Sequence, residues 1–309
     1  MVNELLAYFT RSRRSGRQIG VFATPEGVAA AEVTLRAKGK PRLDLCVFEK
    51  RDSHDPFARA LDRLPSRRAP TVCVLDPGGY RLLLVEAPDV PPDELRAAVR
   101  WRVKDLIDFH IDDAVIDVFE MPRHARGGPR RMMYAVTAKA EVVKQEIERI
   151  EGAGLKLDVV DIPELSLRNI ATLLEADRGA AFLYLSERRS TLLLVRQGVL
   201  YLARYIETGV ATLRDAGEMR ADLLAGLALE VRRSLDYFES HYEQTSLQQL
   251  HVSGLEAADR EAIARELGLA VHEVDLTTLF ETDAVLSPEV QRLCMPAIGA
   301  ALRKDPVAL

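Results

Sequence analysis

The sequence predicts an α/β protein of two similar lobes facing a cleft, with an αβ insert in the first lobe. Three observations lead there. The order strand-strand-strand-helix-strand is written twice, once from residue 18 and again from residue 180. TVCVLD, at 71–76, is a continuous apolar run of the kind found in strands covered on both faces. With 309 residues, 48% hydrophobic and 29% charged, the chain is long and apolar enough to build about two cores.

The elements follow from local chemistry. Residues 18–22 read as a strand, 24–27 as a turn through Pro25 and Gly27, 28–35 as a second strand and 43–48 as a third. Asp55 and Pro56 open a helix with Phe57, Leu61 and Leu64 on one face. After the turn Asp76-Pro77-Gly78-Gly79 comes a strand at 80–86. Pro91, Pro92, Asp93 and Glu94 then start a helix whose apolar stripe is Leu95, Val99, Val103 and Leu106. Strands at 114–120 and 131–137 flank a basic Gly/Pro-rich linker. A helix runs over 140–151, a strand over 157–162, and a helix follows Pro163.

The second half repeats this grammar. Strands at 180–185, 191–196 and 199–206 precede a long helix at 218–243, striped by Leu224, Leu227, Val231, Leu235, Phe238 and Tyr242. A strand at 249–253, a helix ending near Gly268, a strand at 271–274 and a helix from Pro288 to about 303 complete the chain. The expected division is a basic amphipathic segment at 1–17, a first lobe at 18–79 plus 153–177, an inserted subdomain at 80–152 and a second lobe at 178–309.

Composition excludes several classes. The net charge of -5 argues against a basic nucleic-acid binder. Cys46, Cys73 and Cys294 lie far apart with no CxxC, which fits a reducing compartment and neither a disulfide scaffold nor a zinc ribbon. No run approaches the ~20 apolar residues of a membrane span. The six histidines are scattered without HxxxH or HExxH, and no GxSxG is present, so neither a metal site nor a nucleophile is expected. Leu5, Leu6 and Phe9 lead into Arg11, Arg13 and Arg14, which reads either as an interfacial helix anchored to anionic lipid or as a terminus frayed or docked on the body.

Three stretches carry a resemblance. VEAPDVPPDELRAAVRWRVKDLID (85–108), DIPELSLRNIA (161–171) and EVRRSLDYFESHY (230–242) resemble the PilM family of type IV pilus assembly proteins, and more closely its MshI branch from mannose-sensitive haemagglutinin pilus biogenesis. The likeness runs from about residue 16 to 305. It implies two RNase H-like lobes of the actin-like ATPase fold and a place on the cytoplasmic side of the inner membrane. It also implies a partner: the N-terminal cytoplasmic peptide of a bitopic inner-membrane protein of the PilN or MshJ kind, held near the insert. The cytoplasmic assembly motor is a further possible partner.

Actin-like ATPases hold phosphates between two hairpins, each carrying an Asp and a Gly. By that resemblance Phe22 falls where the first Asp belongs, Thr24 where its Gly belongs, and Ala29 where a cation belongs; Tyr184 and Ser186 take the corresponding places in the second hairpin. The adenosine-side loop keeps one glycine, in Ser253-Gly254-Leu255. No acid lies between Ile19 and Pro25 or between Ala180 and Ser186, so the expectation is a degenerate site without cofactor, Glu26 and Glu187 being the nearby carboxylates. The alternative is ATP binding, either weakly through Gly27, Ser186, Ser190 and Gly254 or in a working ATPase that controls partner binding. A filament-forming actin homologue is the third reading. Trp101 lies off the helix stripe, either on a second buried face or as a partner anchor together with Arg102, Asp105, Leu106 and Asp108. A short extended peptide there could add its main chain to an exposed strand edge.

Overall fold

The computed structural model describes residues 16–65, 67–91, 94–122, 131–242 and 246–304. The chain opens with β1 (Gly16–Thr24), β2 (Gly27–Leu35), β3 (Arg42–Lys50), α1 (Pro56–Asp62) and β4 (Pro70–Val74). The insert holds β5 (Tyr80–Glu86), α2 (Leu95–Val103), β6 (Ala114–Glu120) and β7 (Met132–Lys139). The first lobe resumes with α3 (Ala140–Gly152), β8 (Lys156–Asp161) and α4 (Pro163–Leu174). The second lobe has β9 (Ala180–Leu185), β10 (Ser190–Arg196), β11 (Val199–Ile206), α5 (Val210–Arg214), α6 (Arg220–Tyr242), β12 (Gln249–Ser253), α7 (Ala257–Leu267) and β13 (Ala270–Glu273). Two helices end it, α8 (Leu276–Leu279) and α9 (Pro288–Ala301).

The duplication is visible in the sheets. The first has the order β3-β2-β1-β4-β8 and the second β11-β10-β9-β12-β13, so both read third, second, first, fourth, fifth strand of their lobe. In each the meander is antiparallel and the last two strands are parallel. The central strands are apolar on both faces because both faces are covered. Ile19 and Val21 of β1 join the core under α1 and α3, whereas Phe22 joins the core shared with the second lobe. Ala181, Leu183 and Leu185 of β9 pack beneath α6, and Phe182 and Tyr184 face the shared core. Local signals set the helix starts: Asp55 accepts from the Ala58 amide at 3.1 Å and Ser287 from Val290 at 3.3 Å, each followed by proline at the first helical position.

Three boundaries differ from expectation, each for a packing reason. The insert was expected to run to residue 152, but Val143, Ile147 and Ile150 of α3 complete the core of the first sheet, leaving β5-β7-β6 and α2 as the insert proper. The second lobe was expected to own the last helix. Instead α9 lies on β1, β2 and β3 and against α4, while α4 crosses to β9 and β10. Two glycines permit this approach: a Cβ on Gly20 would stand 1.8 Å from the Ala297 carbonyl oxygen, and one on Gly299 2.1 Å from that of Ser166. The helix at 95–103 stops before Leu106, which is solvent-exposed and not part of the buried stripe.

Candidate functional site

The two hairpins that the sequence singled out meet across a cleft of about 410 Å³. Phe22 and Thr24 line it from the first lobe, and Tyr184 and Ser186 from the second. Gly27, Ser190 and Gly254 do not line it. Gly27 is needed elsewhere, because a Cβ there would meet the Glu49 carbonyl oxygen at 2.2 Å and the Phe48 ring at 2.7 Å. Ser190 is fully buried and its hydroxyl donates to Thr208 O at 2.5 Å. Gly254, at φ 102°, makes room for the Arg292 side chain, 2.8 Å from where a Cβ would sit.

The polar groups of both hairpins are engaged within their own turns. Thr24 Oγ1 accepts from the Glu26 amide at 3.3 Å. The Ser186 amide and hydroxyl both donate to the Arg189 carbonyl at 2.9 Å, and the Arg189 amide returns to Ser186 Oγ at 3.3 Å. Gly209 seals the second turn from behind; a Cβ on it would lie 2.4 Å from the Glu187 carbonyl oxygen. Buried Arg292 reaches over from α9 to Glu187 at 2.7 Å and to the Leu185 carbonyl at 3.4 Å. Arg188 and Glu26 approach within 3.8 Å between the hairpins, an exposed pair worth little by itself. A magnesium triphosphate requires free amide donors and carboxylates at the hairpins. Here the two positions that would carry the carboxylates are aromatic members of the shared apolar core.

The cleft also holds groups that sequence reasoning missed. Besides Glu26 and Glu187 it is lined by Asp76, Glu164 and Glu207, so the carboxylates are more numerous than expected. Glu164 is fully buried in the first turn of α4, and the Tyr80 hydroxyl lies 2.7 and 2.6 Å from its two carboxyl oxygens. Burial pushes the Glu164 carboxyl up to about 7, against the counteracting hydrogen bond from Tyr80. Burial likewise raises the Tyr80 phenol. The only sequence signal was Pro163, which opens the helix in whose first turn Glu164 sits. Its consequence is measurable. The folded chain holds the Glu164 proton more tightly than the unfolded chain, whose carboxyl titrates near 4.5. The associated stability is complete below about pH 4.5, falls as the pH climbs to about 7, and is flat above, a loss of about 3 kcal/mol. Glu164→Gln removes this slope in urea titrations between about pH 5 and about pH 8; an unchanged slope would assign it to another group.

The insert presents the other candidate set. Trp101 is 71% exposed and Leu106 55%, so the buried-face reading of Trp101 is corrected. Its ring carries the Lys104 ammonium at 5.9 Å. Arg102 reaches Glu86 and Asp108 reaches Arg81, both at 3.6 Å, and Asp105 is exposed. Arg102 and Asp108 thus reach β5 from α2 and from the segment that follows it. The lobe-facing side is a different surface, where Tyr80, Val115 and Val136 enter the first-lobe core and Tyr134 and Phe119 the shared one. From there the Tyr134 hydroxyl accepts from the Ala203 amide of the second lobe at 3.1 Å.

Leu5, Leu6, Phe9, Arg11, Arg13 and Arg14 lie outside the described residues, as do Arg123, Arg126 and Arg130 of the basic linker. Arg131 is described and pairs with Glu120. Among the described residues no three His, Cys, Asp or Glu side chains are grouped to hold a metal ion, and no helix is long and apolar enough to cross a membrane.

No protein-family model and no curated relative matches this sequence. Solved structures do. A chain of a complex described as the PilM-PilN type IV pilus biogenesis complex is 19% identical, with 94% of this chain and 98% of that chain covered and a TM-score of 0.68. The cytoplasmic domain of EpsL, described as an inner-membrane component of the type II secretion system of Vibrio cholerae, is 10% identical over 91% of this chain and 94% of its own, with a TM-score of 0.52. A Bacteroides thetaiotaomicron protein described as having an actin-like ATPase fold and unknown function is 9% identical over 91% and 96%, with a TM-score of 0.49. The twice-used strand order, the crossed helices α4 and α9 and the end-to-end superpositions on the PilM-PilN chain and on the EpsL domain identify the chain as a two-lobed protein of the actin-like ATPase fold with an αβ insert in its first lobe.

Proposed function

We propose that this chain is a non-catalytic scaffold of a type IV pilus, of the mannose-sensitive haemagglutinin kind, or of a related secretion assembly. It sits at the cytoplasmic face of the inner membrane and binds the N-terminal cytoplasmic peptide of a bitopic partner resembling PilN or MshJ, coupling it to the cytoplasmic assembly motor. The observation that carries this reading is the near full-length superposition on a chain of the PilM-PilN complex. Support for the non-catalytic half comes from the cleft, where Phe22 and Tyr184 fill the carboxylate positions and the hairpin hydroxyls bond within their own turns. Phosphoryl transfer relies on metal and positioned donors for nearly all of its acceleration, so a site without them has little to work with.

The test has two arms. Calorimetry with Mg-ATP at about 1 mM gives no heat of binding; an affinity in the micromolar range would overturn the scaffold in favour of a nucleotide-controlled ATPase. Where a neighbouring gene encodes a bitopic protein, its cytoplasmic tail binds this chain, and Trp101→Ala weakens that binding roughly tenfold, as expected for an exposed aromatic anchor. Failure of the wild-type chain to bind the tail would remove the partner.

A further inference from the structure

We propose that His251 and His272 form a site for a borderline divalent transition-metal ion, zinc above all, at the open edge of the second sheet. The histidines are scattered along the sequence, and the parallel pairing of β12 with β13 sets these two side by side, His251 directly opposite His272. Leu250 and Val252 turn into the core beneath α6, so His251 between them faces the other way, as Phe182 does beside it on β9. Val271 packs toward that same α6 core and Val274 joins the shared one, so His272 lies on the face of His251.

The geometry suits one shared ion. The two ring centres are 6.1 Å apart and the ring planes meet at 40°. Zinc bonds imidazole nitrogen at about 2.0–2.1 Å, which puts two rings on one ion roughly 5–6 Å apart between centres. His272 is exposed on the edge strand and closes the difference by turning its own ring. His251 Nε2 is enclosed and has no hydrogen-bond partner, the state of a polar group that a ligand would satisfy. Burial, and after it the neighbouring imidazole, hold His251 below the usual histidine range, and the neutral ring is the form that ligates.

Ligand type and number choose the ion and its setting. Imidazoles suit zinc, nickel and copper, whereas magnesium and calcium take oxygen. Among the described residues no third His, Cys, Asp or Glu side chain joins the pair, so water completes the coordination. The ion acts beyond its own edge. β13 has four residues and is paired on one side only. After it the Val274 amide donates to Val252 O at 2.8 Å, and the chain passes through α8 to the first lobe. There the Glu281 amide donates to Pro41 O and the Leu43 amide to Glu281 O, both at 2.9 Å, and Arg42 pairs with Asp283 at 2.5 Å. An ion tying β12 to β13 therefore secures the root of the strap that joins the second lobe to β3.

Calorimetric titration of the full, tag-free chain with zinc chloride tests this. One zinc binds per chain with a Kd below about 100 μM. His272→Ala, at an exposed position, leaves the fold intact and weakens that binding at least about tenfold, whereas His272→Cys, which sets a thiolate beside His251, keeps it. His110→Ala, at the imidazole beside Asp112, leaves the affinity unchanged. Magnesium chloride in excess does not compete. Zinc at about ten times its Kd raises the Tm of the wild type by about 3 °C and does not raise that of His272→Ala. Zinc affinity unaltered by His272→Ala would overturn the site, and loss of binding in His110→Ala alone would place the ion in the insert instead. Binding without a rise in Tm would overturn the role in securing the strap. Two chains per zinc would overturn completion by water in favour of an ion bridging two copies.

Discussion

Phe22→Asp lowers stability by about 4 kcal/mol and creates no affinity for magnesium nucleotide. Phe22 is 8% exposed on the central strand β1, opposite Ala29 on β2 and Val74 on β4, and belongs to the core that both lobes share. Truncating a buried aromatic costs about 3–5 kcal/mol, and the new carboxylate would lie in a cleft already holding Glu26 and buried Glu164. The gain on the other side is small. One restored ligand finds Tyr184 opposite it, hairpin amides bonded to Thr24 and Ser186, and Arg292 paired with Glu187. Urea denaturation and Mg-ATP calorimetry on the same preparation read both parts. A variant that keeps wild-type stability and binds nucleotide would mean that the cleft lacks a single ligand, and the chain would then be a lapsed ATPase one substitution from recovery.

The two lobes were legible because their information is local. Asp55 with Pro56 and Ser287 with Pro288 start helices wherever they occur. The stripe from Leu224 to Tyr242 is buried along its whole length because periodicity reports the face of one helix. The strand pattern shows its duplication directly. What escaped depends on residues far apart in the chain. Nothing near Arg292 announces its bond to Glu187 across 105 positions, and nothing near Glu164 announces Tyr80, 84 positions away. The stripe through Leu106 continued the spacing of Leu95, Val99 and Val103, but spacing says nothing about whether the sheet beneath reaches that far. Trp101 invites a buried reading because large aromatics are usually buried, and its exposure is visible only once the helix is seen to bury the single face of Leu95, Val99 and Val103. The hairpin substitutions at 22, 24, 184 and 186 were readable as chemistry. That the same turns also engage their own amides was not, since turn hydrogen bonds depend on backbone path.

Gly20→Val shows the same divide in one residue, with an expected loss of about 4 kcal/mol. Propensity gives the opposite sign, for valine suits a central strand and glycine weakens one by up to about 1 kcal/mol. The overlap decides. A Cβ at position 20 would lie 1.8 Å from Ala297 O, 2.8 Å from the carbonyl carbon and 3.1 Å from the Ala300 Cβ, all on α9. The first two are backbone atoms of a helix, so no side chain can swing aside. Nor can α9 retreat freely. Its other side meets α4 where Gly299 faces Ser166 O, and the Asn169 side chain donates to Gly299 O at 2.9 Å. Moving α9 off β1 would also withdraw Arg292 from the second hairpin and leave Glu187 without its closest cation. The strain is thus transmitted to the cleft. The variant should unfold at a lower urea midpoint than the wild type. Wild-type stability would mean that α9 does not clamp the lobes as closely as the Ala297 contact requires.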